Sequence, residues 1–264
     1  MKLFAVGIDE YYDLTRLHSC VNDAKDYFKF FKNTLGVPEN DLICLTRFNH
    51  TKKAYILDRY LEFVKSLEEG QTGYFTYSAH GDVFKFFDGE EVLFYEGVYT
   101  SDSAIYEYEL QNILSTHLNS KARLVSIIDS CHSGGIKIVL GLKNRSLKLS
   151  TPNFIETRNP FAWVLEKGNS LKDSDSPFLK PLKENRITIS ACEDSELAFA
   201  DRFNGKMNGV LTHKLISILM KNSNVTFEEL INELNIDLPN LEKGYNQTPK
   251  IRIEEKYKQT RVIN

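Results

Sequence analysis

The sequence contains no apolar run approaching the roughly 18 residues that a membrane-spanning helix needs. Its start, Met1 to Ile8, is apolar for too short a stretch before Asp9 and Glu10 to form a secretory signal. Neither sign of charge dominates: 33 Lys and Arg face 36 Asp and Glu, for a formal net charge of −3. With these charges interspersed, electrostatics supplies no reason to expect nucleic acid as a partner. The four cysteines, Cys20, Cys44, Cys131 and Cys192, include no CxxC pair, which argues against a zinc site. Without a secretory signal they are expected to be thiols in a reducing compartment. Internal repeats and low-complexity tracts are missing too. These absences predict a soluble, cytoplasmic, globular protein with no membrane association. Its 264 residues, 42% hydrophobic and 26% charged, suffice for one large domain or two small ones.

Short strand-like runs alternate with helical patterns. Leu3 to Ile8 is a continuous apolar run, as in a strand buried on both faces. Ala24, Tyr27, Phe28, Phe31 and Leu35 form a helical stripe that Gly36 and Pro38 close. Asp41 to Thr46 reads as a second strand and Lys52 to Leu67 as a second helix. Gly73 to Ser78 reads as a third strand. After a polar stretch, a helix through Tyr106, Leu110, Ile113 and Leu114 precedes a strand over Leu124 to Asp129. Four of the seven prolines then cluster between Gly141 and Glu184 (Pro152, Pro160, Pro177, Pro181), where a long loop or linker is expected. Arg186 to Ser190 resumes as a strand, and Leu211, Leu215, Ile218 and Leu219 mark a helix. Thr226 and Glu229 form a capping box opening another helix, and Pro249 to Ile253 closes as a strand. Alternation of this kind predicts an α/β fold with a mostly parallel sheet of about six strands and helices on both faces.

Two strand ends carry chemistry. The third strand runs into Ser78-Ala79-His80-Gly81, and the fourth into Asp129-Ser130-Cys131-His132-Ser133-Gly134-Gly135. Ligands of open α/β sheets bind at the carboxyl ends of strands, so His80 and Cys131 are expected at one edge. An unperturbed thiol, with a pKa near 8.5, is only slightly ionised at neutral pH, and a neighbouring imidazole can take its proton. The small residues after Cys131 let backbone N–H groups approach a developing oxyanion. Acyl transfer from a peptide bond to Cys131 is the chemistry this predicts. His132, the immediate neighbour of Cys131, would point the other way from an extended strand and reads as structural.

Ser-Ala-His-Gly followed by Asp-Ser-Cys-His-Ser-Gly, with His80 and Cys131 51 residues apart, resembles the caspase-like cysteine peptidases in their metacaspase and prokaryotic orthocaspase form. Ala79 departs from the glycine usual there. Ala5 to Asp9 with Leu17 to Ala24, Ser190-Ala-Cys192, Gly209-Val-Leu-Thr212 and Gln247-Thr-Pro249 resemble further family segments in the same order. The resemblance implies a caspase-like fold in a single peptidase domain, with 1–140 like a large subunit, 141–184 a basic linker and 185–264 like a small subunit. It implies Cys131 as nucleophile, His80 as general base and acid, and the backbone at Gly81 and Cys131 as oxyanion donors. It also implies a pocket for Arg or Lys before the cleaved bond, lined by Asp23, Asp129, Cys20 and Ser78. Two carboxylates in a dry pocket favour a cation and repel an aspartate.

No cofactor is required for such chemistry, although metacaspases often need calcium. Asp88, Glu90, Glu91, Glu96 and Asp102 are the candidate carboxylates for it, at spacings that fit no calcium-loop template. The exposed linker, with Lys143, Arg145, Lys148, Arg158, Lys167 and Lys172, is the expected site of self-cleavage. Expected partners are therefore protein or peptide substrates, and the expected assembly is a monomer. The competing readings are a catalytically idle module that binds a partner protein, and an amidase-like enzyme acting on another acyl substrate.

Overall fold

The structure, a computed structural model, describes residues 1–88, 91–130, 185–192, 196–238 and 247–264. Leu3, Phe4, Ala5 and Val6 are all fully buried, so the strand they form, β1 (Lys2–Gly7), is covered on both faces. Alternate side chains divide between two cores. Leu3 and Ala5 join a cluster with Ala24, Tyr27 and Phe31 of the first helical segment and with Leu215, Leu219, Leu230 and Leu234. Phe4 and Val6 join the opposite cluster, with Ile56, Tyr60, Phe63 and Leu114.

The flanking elements follow from this division. Helix α1 (Cys20–Lys29) lies on the first face, and its stripe continues through one wider turn to Gly36, whose φ of 68° ends it. Strand β2 (Leu42–Leu45), helix α2 (Lys53–Lys65) and strand β3 (Thr72–Ser78) come next. Strands β4 (Gly81–Asp88), β5 (Glu91–Tyr99) and β6 (Ala104–Tyr106) precede helix α3 (Glu107–His117) and strand β7 (Arg123–Asp129). The later part contributes β8 (Arg186–Ser190), the hairpin β9 (Ala200–Phe203) and β10 (Lys206–Gly209), helices α4 (Val210–Lys221) and α5 (Phe227–Asp237), and β11 (Lys250–Arg252).

Six strands form the main sheet in the order β11-β8-β7-β3-β1-β2, with every neighbouring pair parallel except β11 with β8. This is the mostly parallel α/β sheet expected from the alternation. The capping box is formed as well: Thr226 Oγ1 accepts the Glu229 N–H (3.2 Å) and Glu229 Oε2 accepts the Thr226 N–H (2.9 Å). One expectation needs correcting: the polar stretch after His80 is a separate antiparallel sheet, β4-β5-β6. The β9–β10 hairpin, turning at Asn204-Gly205, is a further element that the alternation of strands and helices did not include. Among the described residues no helix is long and apolar enough to cross a membrane.

The end of β1 packs directly against the start of α1. A Cβ at Gly7 would lie 2.1 Å from the Cys20 carbonyl oxygen and 2.9 Å from the Ala24 Cβ, so only glycine allows this approach. Gly7→Ala is therefore expected to destabilise the protein by about 1–3 kcal/mol, read as a thermal midpoint several degrees lower.

Candidate active site

Register sets the site. In the β1–β3 and β3–β7 pairings Gly7 lies opposite Ser78, and Ser78 opposite Asp129, so three neighbouring strands end at one level of the sheet. Helix α1 starts over this edge because Asp9, just past β1, accepts the Cys20 N–H (2.9 Å) and the Val21 N–H (3.4 Å) on Oδ1. A side-chain acceptor there satisfies two N–H groups that a helix start leaves unpaired. Asp23 follows in the first turn, fully buried.

Asp23 and Asp129 converge. Ser78 Oγ donates to Asp23 Oδ2 (2.7 Å), and Asn208 Nδ2 donates to Asp23 Oδ1 (2.9 Å). The remaining partners come from the start of α4. The N–H of Gly209, its capping residue, donates to Asp23 Oδ1 (2.9 Å), while the Thr212 N–H (3.0 Å) and Oγ1 (2.7 Å) both donate to Asp129 Oδ2. A helix N-terminus thus faces two carboxylates, a favourable arrangement for negative charge. Gly209 leaves the space they share: a Cβ there would lie 2.2 Å from Asp129 Oδ2 and 2.9 Å from Asp23 Oδ2. Val6, Tyr27, Thr76, Tyr77 and Ile127 close the crevice around them.

Burial, followed by the nearby Asp129 charge, pushes the Asp23 pKa well above the ordinary carboxylate range, and burial raises that of Asp129. Among the described residues no lysine or arginine pairs with either; Lys206 pairs with Asp26 instead. Cys20 opens α1 beside the pair, its Sγ 3.8 Å from Ser19 Oγ. Burial, then the Asp23 charge, holds its thiol far above the usual range, which makes it a poor nucleophile. Burial also raises Cys44, to about 11.

His80 lies just past β3. Its N–H donates to Tyr11 Oη (3.0 Å), and its Nε2 is 2.8 Å from the Thr15 carbonyl oxygen. A carbonyl can only accept, so the hydrogen sits on Nε2 and the Nδ1 lone pair is left for a proton. Gly81 opens β4 opposite Val98. Cys131, one residue beyond Ser130, lies outside the described residues, as do His132, Glu90 and the 141–184 linker.

Asp102, one of the calcium candidates, serves the fold. Asp102 Oδ1 accepts the Lys53 N–H (2.9 Å) and Thr100 Oγ1 (2.9 Å), which caps α2. Asp88 and Glu91 oppose each other at the other end of β5, roughly 25 Å away along an extended strand. Among the described residues no three potential metal ligands group together, and Glu90 lies outside them. The residues that sequence reasoning missed are Thr15, Tyr11, Asn208 and, as an Asp129 partner, Thr212. A backbone carbonyl leaves no sequence signal, whereas Asn208 and Thr212 flank or belong to a segment already noted for its family resemblance.

Comparison with known proteins agrees with this fold. A family model described as the caspase domain matches residues 3–259. Metacaspase-1A of Aspergillus terreus is 24% identical over 282 residues, covering 95% of this chain and 69% of the relative. Metacaspase-1 of Cryptococcus neoformans is 22% identical over 284 residues, covering 95% of this chain and 61% of the relative. The chain thus spans about three fifths to two thirds of these fungal proteins. Among solved structures, a protein from Geobacter sulfurreducens matches with a TM-score of 0.70 and 18% identity, over 100% of this chain and 98% of its own. Caspase-1 from Spodoptera frugiperda matches with a TM-score of 0.52 and 12% identity, over 96% and 88%. The fold is caspase-like.

The acidic pair carries a stability signature. With pKa values raised in the folded state, the native protein holds protons that the unfolded chain has released, so stability falls as pH rises above the ordinary aspartate range. Asp129→Asn removes one titrating group while keeping an acceptor for Thr212. Urea unfolding at pH 5 and pH 8 should show a smaller pH-dependent loss in this variant. At pH 8 it should be at least as stable as the wild type, by up to about 2 kcal/mol.

Proposed function

The chain belongs to the caspase-domain family of cysteine peptidases, and from that premise we propose that it cleaves polypeptides after arginine or lysine, with Cys131 as nucleophile and His80 as base. The observation that carries the specificity is the buried Asp23–Asp129 pair, which lacks a cationic partner among the described residues at the same sheet edge as His80. A substrate guanidinium or ammonium entering there would favour ionisation of both carboxylates. An acidic side chain would meet like charge and pay desolvation as well.

The protonation of His80 suits the chemistry. With Nε2–H held by Thr15, Nδ1 accepts the proton of the Cys131 thiol, and the sulfur attacks the substrate carbonyl carbon. The oxyanion that forms is stabilised by backbone N–H groups, proposed to be those of Gly81 and Cys131. Collapse breaks the C–N bond, and the imidazolium returns the proton to the departing amine. Water then adds to the thioester with His80 again taking a proton, which releases the acid product and restores the thiol. Self-cleavage in the basic 141–184 linker would follow from the same specificity.

The sheet's exposed ends favour a monomer. Among the described residues it finishes on β11, three residues long with exposed Lys250 and Arg252, a poor edge for pairing with a second copy. Cys20 and Cys44 are thiols, as in the reducing cytoplasm where we place the protein.

Peptides carrying Arg, Lys or Asp before the cleaved bond test this reading, with Cys131→Ala as control. Cleavage is expected after Arg and Lys, absent after Asp and abolished in the control, and unchanged by calcium or a chelator. Asp129→Asn should lower kcat/KM for basic peptides at least about 30-fold, the loss expected when one partner of a buried charge contact goes. Cleavage after Asp, or full activity in Cys131→Ala, would sink the proposal, and no cleavage of any peptide would favour the idle binding module. Mass spectrometry of purified wild type should also find termini after Lys or Arg within 141–184 that Cys131→Ala lacks.

A further inference from the structure

The contacts that hold His80 come from one short segment, the connection between β1 and α1. Tyr11 stands between the end of β1 and the imidazole. Its hydroxyl donates to the Ile8 carbonyl oxygen (2.8 Å) and accepts the His80 N–H (3.0 Å). Its ring packs against the imidazole with centroids 5.0 Å apart at 49°, and Tyr99 approaches the imidazole edge-on at 6.5 Å and 88°. Four residues after Tyr11, Thr15 takes the Nε2 hydrogen.

The segment itself is anchored. Leu17 N–H donates to the Asp9 carbonyl oxygen (2.9 Å) and Tyr12 N–H to that of Ser101 (3.1 Å). The Tyr12 ring packs edge-on against Phe48 at 4.9 Å. Asp9 also starts α1, so one connection orients both the histidine and the helix that carries Asp23. Burial pushes the Tyr11 phenol far above its ordinary range, so it stays neutral and takes no part in acid–base chemistry. Its hydroxyl instead fixes the chain where β3 ends, and its ring limits how the imidazole can tilt.

We infer that Tyr11 is a positioning residue for His80, orienting the imidazole so that Nδ1 is left to take a proton while Thr15 holds Nε2–H. The inference rests on the assignment of His80 as base. A misplacement near 1 Å at a reacting group can cost on the order of 100-fold in rate, so a small tilt matters.

Tyr11→Phe in the full chain keeps the ring and removes both hydrogen bonds. Its kcat on an Arg peptide should fall about 10- to 100-fold with KM within about twofold, because the acidic pocket is untouched. Alkylation of Cys131 by iodoacetamide at neutral pH, corrected with Cys131→Ala, should slow in parallel, since it reads the thiolate that His80 supports. Ring ¹⁵N shifts of His80 give a second readout at a temperature where circular dichroism shows both proteins folded. Nε2–H should dominate in the wild type, and the variant should mix the two tautomers. Unchanged kcat, alkylation and ¹⁵N shifts, even with a lower thermal midpoint, would reduce Tyr11 to packing and overturn the inference. His80→Ala separates the two levels: wild-type activity in that variant would remove the base assignment itself, whatever Tyr11→Phe does.

Discussion

Two carboxylates buried against each other are the constraint around which the rest of this protein is arranged. Isolated in a core, Asp23 and Asp129 would be costly, since neither has a cation beside it among the described residues. They are tolerated because α4 begins where they meet, with the N–H groups of Gly209 and Thr212 aimed at their oxygens. Ser78, Asn208 and the Thr212 hydroxyl supply the remaining donors. Five donor atoms from four residues would be hard to bring together for packing alone.

The same interaction joins the two parts of the chain. Asp23 and Asp129 belong to α1 and β7, before the linker, whereas Asn208, Gly209 and Thr212 come after it. Backbone pairing of β8 with β7 also joins them. Proper docking of the later part therefore builds the pocket wall, and the pocket in turn holds the later part in place. Asn208 extends this to the surface, donating to Asp26 as well as Asp23, while Lys206 pairs with Asp26. The pocket and the fold share one set of bonds.

Much of this was legible in the amino-acid order. The apolar run of β1 announced a strand covered on both sides, and the split of Leu3 and Ala5 from Phe4 and Val6 is the physical form of that statement. The stripe through Ala24, Tyr27 and Phe31 and the Thr226–Glu229 box were readable because helical spacing and capping are local. The β4–β5 hairpin and the β9–β10 hairpin were not read, although the second carries a local signal: Asn204 and Gly205, both at positive φ, form the two-residue turn between Phe203 and Lys206. Asp102 reads from sequence as one more member of an acidic cluster, and only its bond to the Lys53 N–H identifies it as a helix cap.

The sequence by itself determined the fold class, the family resemblance and the residues able to do chemistry, because strand and helix periods and reactive side chains are properties of short segments. Only the tertiary structure decided how those residues are held. The β3–β7 register brings Ser78 beside Asp129, the Thr15 carbonyl sets which imidazole nitrogen is protonated, and the start of α4 compensates the buried acids. Each of these depends on backbone groups that every residue carries alike. Their effect comes from position, and position is settled when distant segments pack together.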